Sequence, residues 1–131
     1  MEHTFSTRVR WRHTDASGQI HFASVFRYFE DAEMELLREA GWSLDRLHDE
    51  GYDIPRANAE ANYNDALGYD DEIEVVARVE ETGETSFTVG FEVYKNGDDD
   101  PAVEGEITPV VVEEGDWTPT EPPEGFFESI D

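Results

Sequence analysis

The stretch Trp11-Arg-His-Thr-Asp15-Ala-Ser-Gly18-Gln-Ile-His-Phe22 decides how this chain folds, because the hydrophobic period changes across it. Before it, Phe5, Thr7, Val9 and Trp11 alternate with Ser6, Arg8, Arg10 and Arg12. That two-residue period gives an extended strand with one apolar and one basic face. After it, Val25, Tyr28, Phe29, Ala32, Leu36 and Ala40 recur every three or four residues, with Arg27, Glu30, Asp31, Glu35, Arg38 and Glu39 mostly opposite, so the period is that of a half-buried helix beginning near Ser24. Between the two, His13-Thr-Asp-Ala-Ser-Gly18 is a run of turn formers. Asp15 on that turn faces backbone amides near a helix N-terminus, where free N–H groups and the helix dipole favour an anion, either a ligand oxyanion or the Asp itself.

Working outward, Gly41 is placed to end the long helix in a left-handed conformation, and Ser43 heads a short second helix over Leu44–Glu50, closed by Gly51. Alternation returns after Pro55, where Ala57, Ala59, Ala61 and Tyr63 share one face of a strand. Methyl groups permit close approach by a helix or another backbone, so the long helix is expected against this sheet. Ile73–Val79 and Phe87–Val93 read as two further strands, with a tight reversal at Asn96-Gly97 and a last strand over Ala102–Val112 that is an edge or is bulged at Pro109. The order is strand, long helix, short helix, then four strands in an antiparallel meander. One helix cannot cover both faces of such a sheet, and the Phe87–Val93 face is too apolar to leave wet, which predicts a dimer.

A chain of 131 residues suits one domain of about 100–200 residues, here residues 1–131 with an acidic, Pro-rich C-terminal tail at 113–131 pinned by Trp117, Phe126 and Phe127. Nine Lys and Arg against 33 Asp and Glu give a net charge of -24, which repels phosphate backbones and anionic membrane surfaces alike, so neither nucleic acid nor membrane is an expected partner. The 37% hydrophobic content still supplies a core. No cysteine is available for disulfides, thiolate zinc sites or nucleophilic catalysis. No apolar run approaches the roughly 20 residues that span a bilayer, and Met1-Glu-His-Thr lacks a basic stretch followed by an apolar one, so the expected location is cytoplasmic. With Lys95 the sole lysine and acids on every element, the composition resembles that of extreme halophiles, whose self-repulsion is screened in molar salt.

No phosphate loop, dinucleotide fingerprint, His-Glu-x-x-His or Gly-x-Ser-x-Gly elbow occurs. What remains is Trp11–Glu30, which resembles the signature of 4-hydroxybenzoyl-CoA thioesterase-like acyl-CoA thioesterases. That signature is an aromatic at a strand end, Asp-x-Asp-x-x-Gly-x-Val, a short aromatic segment, and a helix that begins with aromatics and runs into Phe-Glu, here Phe29-Glu30. Tyr69-Asp-Asp-Glu-Ile-Glu-Val75 is similar to the family's Tyr-Asp-Asp ahead of its third strand, and Thr85-Ser-Phe87 to a third pattern. The resemblance covers most of residues 5–112 and extends loosely to Pro119–Phe127.

It implies an α+β hotdog fold, a five-stranded antiparallel sheet wrapped around one long helix, in homodimers or dimers of dimers that share a continuous sheet. It also implies hydrolysis of an acyl-CoA at the dimer interface with no cofactor. By position, Asp15 matches the catalytic aspartate, the Phe22 backbone amide the donor that polarises the thioester carbonyl, and Gly18 the glycine that lets the turn pass close to substrate. His21, Thr85 and Ser86 are candidate substrate contacts. Four places depart from the pattern: His13 stands for the first Asp, Ile20 for the Val after Gly-x, Thr82-Gly-Glu-Thr85 lacks the cations many members carry before Ser-Phe, and Glu30-Asp-Ala-Glu33 lacks the Arg of the helix motif.

The chemistry agrees with this reading. Thioester hydrolysis needs a base or nucleophile and a fixed donor for the developing oxyanion. Asp15 could activate water or attack directly to form an anhydride, or it could simply hold its own turn. The alternative in another class is a hotdog module that binds an acyl thioester or partner protein without turning it over, and a hydratase would need His13 or His21 paired with Asp15.

Overall fold

The helical period after Ser24 produces α1 at Val25–Glu39 because its three-and-four spacing puts Val25, Tyr28, Phe29, Ala32, Leu36 and Leu37 on one buried face. A computed structural model describes every residue, Met1–Asp131. Gly41 follows at φ +86°, and Ser43 caps α2 (Leu44–Asp49) by accepting a hydrogen bond from the Arg46 amide at 3.2 Å. The strands are β1 (Glu2–Arg8), β2 (Tyr52–Asp53), β3 (Arg56–Tyr63), β4 (Glu72–Thr82), β5 (Phe87–Lys95), β6 (Val103–Pro109) and β7 (Val112–Glu113). A terminal helix, α3, covers Phe126–Ile130. No helix is long and apolar enough to cross a membrane.

Five strands form an antiparallel sheet in the order β1-β4-β5-β6-β3, curved around α1, which is the hotdog arrangement the resemblance implies. β2 and β7 make a separate two-stranded ribbon. Phe29 stacks on Phe91 of β5 with ring centroids 4.5 Å apart. Gly105 of β6 permits that approach, because a Cβ there would collide with the Phe29 ring and with the Glu60 carbonyl. α3 closes the other end, Phe126 meeting Phe87 at 5.5 Å and Trp42 at 5.6 Å.

Several expectations change. Only β4, β5 and β6 form a meander; β3 crosses to the far edge beyond β6 and never touches β4. The alanine-rich β3 is therefore an outer strand, exposed almost throughout, and the helix packs on the same sheet, as expected, mainly over β1 and β4. The Phe87–Val93 face is buried within the chain by its own helices, so apolar exposure there is no reason for a dimer; the outer strands of the sheet are β1 and β3. β1 starts earlier and ends at Arg8, because Val9 is tied to the loop ahead of β4 (Val9 N–H to Asp71 O, 2.9 Å; Asp70 N–H to Val9 O, 3.0 Å) and the chain then turns. Trp11 consequently sits in a single 3-10 turn over Trp11–His13 and is 70% exposed. Pro109 ends an inner strand, opposite a register shift between Arg56 and Asn58. In the C-terminal segment Phe126 and Ile130 are buried, whereas Trp117 is 68% exposed and pins nothing.

Candidate active site

His13–Phe22 folds back on itself as a small loop. The Asp15 amide donates to Gln19 O (2.8 Å), the Gly18 amide to Asp15 O (3.1 Å) and the His21 amide to His13 O (2.9 Å), with Thr14 bridging Ile20. Gly18 turns the chain at φ +81°, a conformation an L side chain resists. Ile20 N–H to Leu67 O (2.7 Å) and Tyr69 N–H to Gly18 O (3.0 Å) fasten the loop to the segment between β3 and β4.

Asp15 is exposed on the isolated chain, and its Oδ1 accepts the Ser17 amide (2.8 Å) and the Ser17 hydroxyl (2.5 Å). Those two donors, the hydroxyl first, hold its pKa below the usual carboxylate value, so it is ionised at neutral pH. The bonds within the turn are those of an aspartate that also organises its own loop. Asp15 shares a shallow concavity with Trp11, Arg12, Thr14, Ala16, Ser17 and Gly18.

Phe22 opens a second 3-10 turn, Phe22–Ser24, that leads into α1. His21 caps it: Nδ1 accepts the Ala23 amide at 3.2 Å, the His21 carbonyl accepts the Ser24 amide at 2.8 Å, and its ring stacks on Phe22 at 4.7 Å. The Phe22 amide itself donates to no group in the chain, which leaves a free N–H at the mouth of the helix. The Phe22 carbonyl accepts a hydrogen bond from Tyr63 OH at the end of β3, and the Phe22 side chain is 69% exposed.

Thr85 and Ser86 lie elsewhere. They precede β5 at the opposite end of the sheet, held by Val111 N–H to Thr85 O and Gly83 N–H to Ser86 O, each 2.7 Å. Within a single chain Asp15, Gly18, His21 and Phe22 share one loop, with Asp15 and Gly18 lining the same concavity, and Thr85 and Ser86 lie apart from it. His13 makes no pair with Asp15. Tyr28 OH accepts the Arg10 amide (3.1 Å) and is hydrogen-bonded to His13 Nδ1 at 2.9 Å. Burial first, then Arg12 and Arg27, lowers the His13 pKa, so the ring is neutral near pH 7.

Tyr28 and Tyr63 are not legible as site residues in the sequence. Tyr28 reads as one more apolar position on α1, and Tyr63 as the last of an alanine row; the only signal is a hydroxyl-bearing ring within each pattern. Glu33 is likewise unmarked as a buried group. It sits on α1 fully buried, paired with Arg56 of β3, and its Oε2 has no hydrogen-bond partner. Burial outweighs Arg56 and pushes its pKa up to about 7.

The profile of the thioesterase-like superfamily matches residues 9–130. A putative esterase of Aquifex aeolicus is 37% identical over 95 residues, covering 72% of this chain and 74% of that one. A 1,4-dihydroxy-2-naphthoyl-CoA hydrolase of Prochlorococcus marinus is 33% identical over 98 residues, which is 69% of this chain and 63% of that protein. Among solved structures, a hypothetical protein from Aquifex aeolicus superposes with a TM-score of 0.90 at 30% identity, covering 98% of this chain and 99% of the other.

Proposed function

The chain belongs to the thioesterase-like superfamily, and from that premise we propose that it hydrolyses an acyl-CoA to the free acid and CoA, using Asp15 and the Phe22 amide. Thioester hydrolysis follows from the superfamily and from what its named relatives cleave. The observation that carries the residue assignment is that one loop, His13–Phe22, holds both an ionised Asp15 and an unused N–H at the turn leading into α1.

The thioester carbonyl oxygen sits on the Phe22 N–H, which stabilises the negative charge that grows there as the carbonyl carbon becomes tetrahedral. Both Ser17 bonds fall on Oδ1 of Asp15, so Oδ2 meets the reactants. It either takes a proton from the attacking water or attacks the carbonyl carbon to give an anhydride that water then opens. In both routes the C–S bond breaks and CoA leaves as the thiolate.

A homodimer completes the site in this reading. β3 presents a free edge, and two such edges pairing antiparallel about a two-fold axis would continue the sheet. The same axis brings the Ser86 end of one copy beside the Asp15 end of the other, because β3 runs from one end of the sheet to the other. Gly18 and His21 would then contact substrate from one copy and Thr85 and Ser86 from the other.

The test is thiol release over short, long and aromatic acyl-CoAs in molar KCl, with the wild type beside Asp15→Asn. Turnover by the wild type, reduced about 1,000-fold in the variant, is expected for a group acting as base or nucleophile. A wild type that binds the panel without releasing thiol establishes the binding-module reading instead.

A further inference from the structure

A chain of net charge -24 carries only nine Lys and Arg residues, and their placement is uneven. Arg8, Arg38, Arg46, Arg56, Arg78 and Lys95 each pair with a carboxylate. Arg10, Arg12 and Arg27 do not. These three flank one junction, because the Tyr28 hydroxyl bonds both the Arg10 amide (3.1 Å) and His13 Nδ1 (2.9 Å) and so fastens the 10–13 turn to the first turn of α1, where Arg27 precedes Tyr28. After burial, the charges of Arg12, Arg27 and Arg10 all lower the His13 pKa, and Asp31 is the one acid that opposes them there.

All three arginines are exposed. Trp11, between Arg10 and Arg12, is 70% exposed and stands edge-on to Tyr69 at 5.4 Å, which leaves an indole face bare. Folding gives no reason for this grouping: clustered like charges cost stability, and an exposed indole gains nothing from burial. Planar guanidiniums match phosphate oxygens in a two-pronged geometry, and a bare aromatic face accepts a nucleobase.

We infer that Arg10, Arg12 and Arg27 bind the phosphates of the 3′-phosphoadenosine diphosphate head of coenzyme A, with its adenine stacked on Trp11. This rests on the proposed acyl-CoA substrate, and it supplies the cations that Thr82-Gly-Glu-Thr85 lacks. The pantetheine arm is long and flexible, so the head can fold back onto a patch only a few residues from Asp15. In a field this negative, a local cluster of cations is also what admits a polyanionic substrate at all.

Two measurements at one fixed KCl concentration test it. The first titrates adenosine 3′,5′-bisphosphate into the wild type, Arg12→Gln/Arg27→Gln, and Arg38→Gln, whose cation is ion-paired elsewhere. The second compares KM for an acyl-CoA with KM for the same acyl group on N-acetylcysteamine. The bisphosphate is expected to bind the wild type and Arg38→Gln alike and the double variant about 100-fold more weakly, roughly ten-fold for each guanidinium removed. KM for the acyl-CoA should rise in parallel, at least five-fold more than for the truncated thioester. A bisphosphate that fails to bind the wild type, or binds the double variant equally well, overturns the inference whatever hydrolysis shows. Intact, arginine-dependent binding without hydrolysis of either thioester supports the inference and overturns the hydrolase reading alone.

Discussion

Asp15 and Glu33 are both carboxylates within one stretch of loop and helix, yet their surroundings set them to opposite states. Asp15 stands in water on a turn, and two donors from Ser17 favour its charged form. Glu33 is sealed under α1, where burial raises its pKa to about 7 and one oxygen is left without a partner. The difference teaches that protonation here follows hydrogen-bond donors and desolvation, not the net charge of the chain. The exposed group is the one proposed to act on substrate, and the buried one stores a pH dependence of folding.

That contrast breaks most visibly at Glu33. Its folded pKa of about 7 exceeds the ordinary 4.5, so between those values the folded state holds a proton the unfolded chain has released. The stabilisation is complete below pH 4.5 and is lost as pH rises through about 7, a change of about 3 kcal/mol from this group. Urea denaturation from pH 4.5 to 8 should show Glu33→Gln losing that slope relative to wild type; parallel curves would mean that Arg56 neutralises the buried charge fully.

At Asp15 the donors can be removed one at a time. Ser17→Ala deletes the hydroxyl, the larger cause of the lowered pKa, so the acid limb of the pH–kcat/KM profile should move to higher pH. The plateau rate should stay within roughly ten-fold, because the Ser17 amide remains. An unmoved limb would detach that titration from Asp15.

The smallest effect concerns the outer sheet face. Glu60 on β3 lies directly across from Glu106 on β6, and the Glu106 pKa is raised by burial and then by Glu60. Such like-charge pairs, together with the net charge, should make the melting temperature climb as KCl goes from millimolar to molar. Glu106→Gln should remove part of that dependence, about 0.2–1 kcal/mol at low salt. A flat salt response would remove the resemblance to halophile proteins.

What the sequence disclosed was local. The spacing of Val25 to Leu36 marked α1, Gly41 and Gly51 marked its end and that of α2, and the turn formers His13–Gly18 marked the loop with Asp15 at its bend. What it hid depends on distant partners. The Arg10 and Arg12 alternation continues a strand pattern, but the chain leaves the sheet because Tyr28, eighteen residues past Arg10, captures the Arg10 amide. Alanines on β3 look like a seat for a helix, and only the sheet order reveals an open edge. Glu33 sits beside the apolar stripe with its partner Arg56 twenty-three residues away, so no local period marks it as buried. For the same reason Thr85-Ser-Phe87, a separate pattern resembling the same family, lies at the other end of the sheet from the candidate site within one chain.

The most direct measurement sets the two carboxylates against each other in one assay: kcat for thiol release from an acyl-CoA by Asp15→Asn and by Glu33→Gln, each checked for native circular dichroism. The expected result is a loss of about 1,000-fold for Asp15→Asn and a rate within a few-fold of wild type for Glu33→Gln. Equal losses, or an Asp15→Asn enzyme as fast as wild type, would contradict the account.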